Sequence, residues 1–212
     1  ILDDGFQHRR LARDLDIVLV DALLPFGGGH ILPRGTLREP LSGLSRADAV
    51  VITRSDAVEL YRRDAIKKKL RKYAPRAELT CAAHRPDSLS RILPGGGHKE
   101  AEMERLRDGR WAAFCGIGNP EAFRHTLENL GTQLDLCRAF PDHHGYQSGE
   151  LGDILQKAEN LGCAGVITTE KDAVKIAPLL HNAPPVPVYV LGVRMQVTEN
   201  EEGLRRMITD AI

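Results

Sequence analysis

Two adjacent carboxylates, Asp3 and Asp4, follow an apolar pair and lead into Gly5, Phe6, Gln7, His8 and Arg9. An apolar strand ending in Asp-Asp is the shape of a Walker B element. Such an element presents a carboxylate to Mg²⁺, directly or through water, beside nucleotide phosphates. A pair of exposed turn carboxylates has the same look. Gln7, His8 and Arg9 supply further polar groups at the same spot, which strengthens the case for a site. A second loaded stretch, FGGGHILPRGTLREP at residues 26–40, combines three glycines with Arg34, Arg38 and Glu39. The glycines permit close backbone approach and positive φ. The stretch reads either as a loop contacting phosphate or sugar, or as a flexible surface connection. It is not a Walker A loop, and G-x-x-x-x-G-K-[ST] occurs nowhere in the sequence.

Three later stretches carry chemistry of their own. GIGNPEAF, residues 116–123, follows one apolar run and opens a helical pattern. Such a turn can hold an anion at a helix N-terminus, and equally it is a well-capped βα turn with Asn119 as cap and Pro120 in the first turn. PDHHGY, residues 141–146, sets Asp142 beside His143 and His144. Adjacent histidines point different ways, so one at most acts, as a metal ligand, an acid or base, or a partner that orients a carboxylate. TTEKDAVKI, residues 168–176, begins a helix. Capping by a threonine and the positive helix end account for Glu170 and Asp172, but they leave Lys171 unexplained.

What positions these residues is an alternation of short apolar runs and helical patterns. LDIVLVDA (15–22), ADAVVITR (47–54), RWAAFCGI (110–117), TQLDLCRAF (132–140) and CAGVITT (163–169) read as strands. AELTCAAH (77–84) is a further candidate, and VPVYVLGVRMQV (186–197) is a strand or strand pair. Helical patterns cover residues 57–74, 118–131, 147–162, 170–180 and 199–212, while 85–109, with its central GGG, reads as irregular. The alternation predicts an α/β fold with a mostly parallel sheet and helices on both faces. In such sheets ligands lie beyond the carboxyl ends of strands, which is where the loaded stretches fall.

Composition bounds the function. Lys+Arg and Asp+Glu balance at 29 each, so there is no global field to draw in nucleic acid, and 5% aromatic content argues against a base-stacking platform. Cys81, Cys115, Cys137 and Cys163 form no CxxC; Cys115 and Cys163 sit in apolar runs and read as core thiols. No apolar run approaches the length of a membrane span. Residues 57–74 form a basic helical face, fit either for solvent or for anionic headgroups.

Taken together, DDGFQHRRLARDLDIVLVDA, FGGGHILPRGTLREPLSGLSRADAVVITR, GIGNPEAFRHTLENLG, FPDHHGY and TTEKDAVK resemble the tetraacyldisaccharide 4'-kinase (lipid A 4'-kinase) family, in family order and across nearly the whole chain. The resemblance implies a P-loop-kinase-like α/β/α sandwich of two lobes joined by a β-linker, with the active site in the cleft. It implies ATP and Mg²⁺ as cofactors and an acylated glucosamine disaccharide lipid, phosphorylated at its 4'-hydroxyl, as substrate. It further implies peripheral contact with the cytoplasmic face of a bacterial inner membrane, and no nucleic-acid partner.

Carried over position by position, Asp3 and Asp4 match the acidic pair, with Asp4 as the Mg²⁺ ligand. Gln7 and His8 match polar residues of the same motif, and Arg38 and Glu39 match a loop near nucleotide or substrate. His143 matches a histidine paired with the catalytic aspartate, with His144 as second choice. Lys171 and Asp172 match a motif without an assigned role. The family's P-loop lobe, with its phosphate-binding lysine and base aspartate, has no counterpart here. The expectation is therefore an incomplete form, inactive alone. Residues 1–76 would be the remainder of the kinase lobe after the Walker B strand, 77–110 a linker or excursion, and 111–212 the C-terminal α/β lobe. Two rivals stay open. One is a DHH-type metal phosphoesterase using Asp142, His143 and His144 with Asp3 and Asp4; the other is a non-catalytic nucleotide- or partner-binding module.

Overall fold

A computed structural model of the chain describes residues 1–180 and 182–212. They form two compact units, Ile1–Arg85 with Met195–Ile212, and Pro86–Arg194.

The first unit is built on β1 (Ile17–Asp21) and β2 (Ala49–Thr53), followed by α1 (Leu60–Tyr73) and the opening of β3 (Glu78–Ile92). β1 and β2 are parallel, with Ile17 opposite Ala49, and β2 and β3 are parallel, with Ala49 opposite Glu78. β2 is buried along its whole length. Successive strand residues face opposite sides, so Val50 and Ile52 pack with Ile66 and Leu70 of α1. Ala49 and Val51 instead pack with Ala82 and with Leu204 of the last helix. Four-residue spacing puts Ile66 and Leu70 on one stripe of α1.

The second unit contains the rest of β3, then β4 (His98–Ala101), β5 (Arg110–Cys115), α2 (Pro120–Asn129), β6 (Gln133–Ala139), α3 (Ser148–Asn160), β7 (Gly165–Thr169), α4 (Glu170–Ile176) and the start of β8 (Val188–Glu199). β5 pairs in parallel with β6 and β7, and β7 with β8. Alternation along β5 again divides the core. Trp111, Ala113 and Cys115 pack with Phe123 and Leu127 of α2. Ala112 and Phe114 pack with Leu151, Ile154 and Leu155 of α3 and Ala173 and Ile176 of α4. Cys115 and Cys163 are buried thiols, as their apolar surroundings imply, and burial pushes the Cys115 thiol up to about 12. β8 ends in the first unit, where α5 (Glu201–Asp210) follows.

The α/β class and the parallel pairing are as the sequence indicates. Two details differ. Residues 85–109 are not irregular: β3 runs on to Ile92 and pairs antiparallel with β4 through Leu89 opposite Ala101. Gly95 and Gly96, both at positive φ, turn that hairpin. The units also do not follow the expected division at 76 and 110. The chain leaves the first unit along β3 and re-enters it along β8, so residues 195–212 group with 1–85.

Candidate functional site

Within the first unit, residues 3–11 form a chain of tight turns rather than the end of a strand. His8 N–H donates to the Gly5 carbonyl at 2.9 Å and Leu11 N–H to that of His8 at 3.2 Å. A strand is held by its neighbours' backbone groups, and no strand among the described residues pairs with residues 1–3. Asp4 takes a left-handed φ of 53°. Its carbonyl accepts from Gln7 Nε2 at 2.8 Å, and its carboxylate forms an ion pair with Arg38. The adjacent residue Glu39 accepts from Arg46 at 2.7 Å and from Arg9 at 3.3 Å. Partial burial works against the charged form of Glu39, but the hydrogen bonds and charges of Arg46 and Arg9 outweigh it and hold the carboxyl below the usual range. Arg46 also donates to the Phe6 carbonyl at 3.2 Å and stacks over the Phe6 ring. The structure thus brings Asp4, Gln7, Arg38 and Glu39 into one network of alternating charge. Asp3 and His8 lie on the same turns, exposed.

The loop after β1 folds on itself instead of trailing across the surface. Thr36 N–H donates to the Gly27 carbonyl at 3.0 Å and Leu32 N–H to that of Leu37 at 2.9 Å. A Cβ on Gly35 would come within 2.2 Å of the His30 carbonyl oxygen, so no side chain fits there. This closure presents Arg38 to Asp4. Sequence reasoning missed a pair at the carboxyl edge of the same strands. Asp21 ends β1 and accepts from Arg54 Nε at 2.8 Å, while Arg54, just past β2, sits at φ 52°. A carboxylate closing a strand in a loaded α/β edge was the available signal.

Within the second unit, PDHHGY, GIGN and EKD meet beyond the ends of β5, β6 and β7. His143 and His144 have separate fates. His144 is stacked on Phe140, with ring centroids 4.6 Å apart, and its Nε2 lies 3.0 Å from Glu150 Oε2. Glu150 in turn caps α3 by accepting from Gln147 N–H at 3.0 Å; that bond first, then His144, holds its carboxyl low. His143 is exposed and takes φ 60°, with its own N–H donated to Asp142 Oδ1 at 3.0 Å. The second Asp142 oxygen lies 3.7 Å from His143 Nε2, and Lys171 Nζ donates to Oδ1 at 3.0 Å. The Lys171 hydrogen bond is the main reason the Asp142 carboxyl is held below its usual range.

Asp172, the neighbour of Lys171, points inward and is fully buried. It accepts from Gly116 N–H at 2.8 Å and from Thr169 Oγ1 at 2.8 Å, with Lys175 at 3.3 Å. Thr169 returns the contact by capping the Asp172 N–H. A Cβ on Gly116 would meet Tyr146 Oη at 2.9 Å, so the GIGN turn is pressed onto this buried cluster. Asn119 caps α2 through Ala122 N–H at 3.1 Å, as its sequence position predicts.

Among the described residues no group of three or more His, Cys, Asp and Glu is placed to hold a metal. Asp142 and His144 are committed to Lys171 and Glu150, which leaves the DHH phosphoesterase reading without its ligand set. No helix of the described residues is long and apolar enough to cross a membrane.

A model of the family described as tetraacyldisaccharide-1-P 4'-kinase matches residues 1–212. Relatives named tetraacyldisaccharide 4'-kinase include one from Anaeromyxobacter dehalogenans strain 2CP-1, 46% identical over all 212 residues and 55% of its own length. Another, from Halothermothrix orenii, is 39% identical over 93% of this chain and 54% of its own. A crystal structure described as the "apo" form of LpxK from Aquifex aeolicus in complex with ATP matches the entire chain at 29% identity and a TM-score of 0.66, over 56% of that protein. The chain spans about half the length of the curated relatives it matches. With the whole chain matched by one family model and by relatives of that name at 39% and 46% identity, the chain belongs to the tetraacyldisaccharide-1-P 4'-kinase family.

Proposed function

We propose that the full-length protein transfers the γ-phosphoryl group of ATP to the 4'-hydroxyl of a tetraacylated glucosamine disaccharide 1-phosphate. The observation that carries this reading is the end-to-end match to relatives of that name; the charge network around Asp4 supports it. Mg²⁺ usually takes one or two carboxylates and fills the remaining positions with phosphate oxygens and water. Asp4, exposed beside Asp3 and outside any cluster of three or more His, Cys, Asp and Glu among the described residues, fits that habit. When bound, the ion would supply positive charge against the phosphates.

The residues of this chain do the rest. Arg38, the partner of Asp4 in this structure, would meet phosphate oxygens. Glu39 keeps Arg9 and Arg46 from competing for the same anion. Gln7 steadies the Asp4 turn, and His8 offers a further polar contact. His143, on its exposed loop, is the imidazole free to orient and tune an acceptor carboxylate, and His144 is not. The acyl chains would remain in the bilayer, with the protein peripheral to the cytoplasmic face of a bacterial inner membrane. Nucleic acid has no part in this reading.

The test is direct. The full-length protein, given Mg-ATP and the tetraacyldisaccharide 1-phosphate, should yield a product heavier by one phosphate at the 4' position. Asp4→Asn should lower kcat at least about 100-fold, as expected for loss of a metal-holding carboxylate in phosphoryl transfer. No product from the wild-type protein would sink the reading, and undiminished turnover by Asp4→Asn would sink the metal role alone.

A further inference from the structure

Lys171 is the residue of the EKD segment that capping does not account for, and its neighbour explains where it points. Asp172 is drawn into the core, tied to the Gly116 N–H and to Thr169. On a helix, consecutive side chains point about 100° apart, so with Asp172 fixed inward Lys171 is set on the outer side of α4. There its Nζ meets Asp142 Oδ1 at 3.0 Å. That same oxygen accepts the backbone N–H of His143, the residue held at φ 60°. The other Asp142 oxygen faces the His143 imidazole at 3.7 Å.

We propose that Lys171 is a positioning residue for His143: by clamping Asp142 it fixes the left-handed turn that exposes the imidazole and sets the charge the imidazole faces. A non-glycine residue is disfavoured in the left-handed region unless local hydrogen bonds hold it. Here one carboxylate does the holding, and without Lys171 that carboxylate is free to swing away. Asp172 serves the same end from below, fixing the α4 start against the GIGN turn. The catalytic consequence rests on the kinase reading, whereas the positioning itself does not.

The test reads the turn itself. In the full-length protein the backbone Cα and Cβ chemical shifts of His143, assigned with His143→Gln, report its left-handed conformation. In Lys171→Met, with the clamp on Asp142 lost, those shifts should move toward the values of a turn that samples several conformations. Lys171→Arg should restore them, and Asp142→Asn, which weakens the clamp from its other side, should move them in the same direction as Lys171→Met. In the kinase assay Lys171→Met should lower kcat about 5–10-fold, with KM for ATP within about twofold, as for a group that orients rather than binds.

Unmoved His143 backbone shifts in Lys171→Met overturn the proposal. Lys171 is half exposed and outside the core, so the variant keeps its fold, which amide spectra check. Should the wild-type protein show no kinase activity, the functional reading fails while the backbone shifts still decide the positioning.

Discussion

At the scale of single residues, adjacent histidines separate into a packed one and an exposed one, and the division follows from what each ring touches. His144 lies between Phe140 and Glu150, half buried, and Arg138 covers the other ring of that stack at 4.6 Å from Phe140. Replacing His144 by Ala removes a ring from an aromatic cluster and one charged hydrogen bond from the α3 cap. The loss should be about 1–2 kcal/mol of unfolding free energy by urea titration. His143→Asn, at a left-handed position that Asn tolerates, should change stability by less than about 0.5 kcal/mol. Equal losses for the two variants would refute the division. The sequence alone left the two histidines in contention because stacking on Phe140 depends on a β6 exit angle that no local pattern encodes. Asp172 was legible only as a helix-end carboxylate. Its full burial against the Gly116 N–H is a contact across 56 positions.

At the scale of elements, the parallel strands were readable because each is an apolar run with period-two faces and a helical pattern after it. The β3–β4 hairpin was not. Its outward residues, such as Arg91, His98, Lys99 and Glu100, are polar, and a hairpin with one wet face gives no apolar run to find. The basic face of α1 illustrates the reverse problem, a pattern that promised more than it holds. Arg63 and Lys67 are paired with Glu199 of β8, Arg62 donates to the Leu23 carbonyl and Arg71 to that of Ala77. Much of the charge that reads as a membrane-facing stripe fastens α1 to its own unit.

This predicts an acid-sensitive joint. The hydrogen bond from Lys67 is the main cause holding the Glu199 carboxyl below its usual value, against some burial. A carboxyl lowered in the folded state stabilises fully above its unfolded value of about 4.3 and loses that contribution as pH falls through the folded value. For a partly exposed pair the contribution should be about 0.3–1 kcal/mol. Wild type should therefore exceed Glu199→Gln in stability at pH 6–7, and the two curves should converge as pH falls below about 4.3. A constant difference over that range would show that the pair contributes nothing through charge.

At the scale of the molecule, the two units differ in how completely they close. In the second, strands β5 and β7 are covered on both faces, and Trp111, Phe114 and Ile167 are fully buried. In the first, β1 is different. Ile17 and Leu19 on it are exposed, and with Leu2, Ile208 and Ile212 they line a groove of about 1030 Å³ whose wall includes Asp3 and Asp4. An apolar alternation that points to solvent breaks the pattern that makes strands legible, so no local pattern separates Leu19, exposed at 60%, from the buried Val20 beside it. Contiguous apolar surface of this kind binds apolar probes and other chains. The isolated 212-residue chain should therefore bind an anilinonaphthalene dye in its native state and self-associate in sedimentation at micromolar concentration. Leu19→Lys should weaken both at least about threefold with little change in unfolding free energy, because an exposed leucine stabilises little. Leu24→Lys, at a residue exposed to 55% but away from the groove, is the matched control. If the two lysine variants behave alike, the dye and the self-association report general surface hydrophobicity, and the β1 face has no special role.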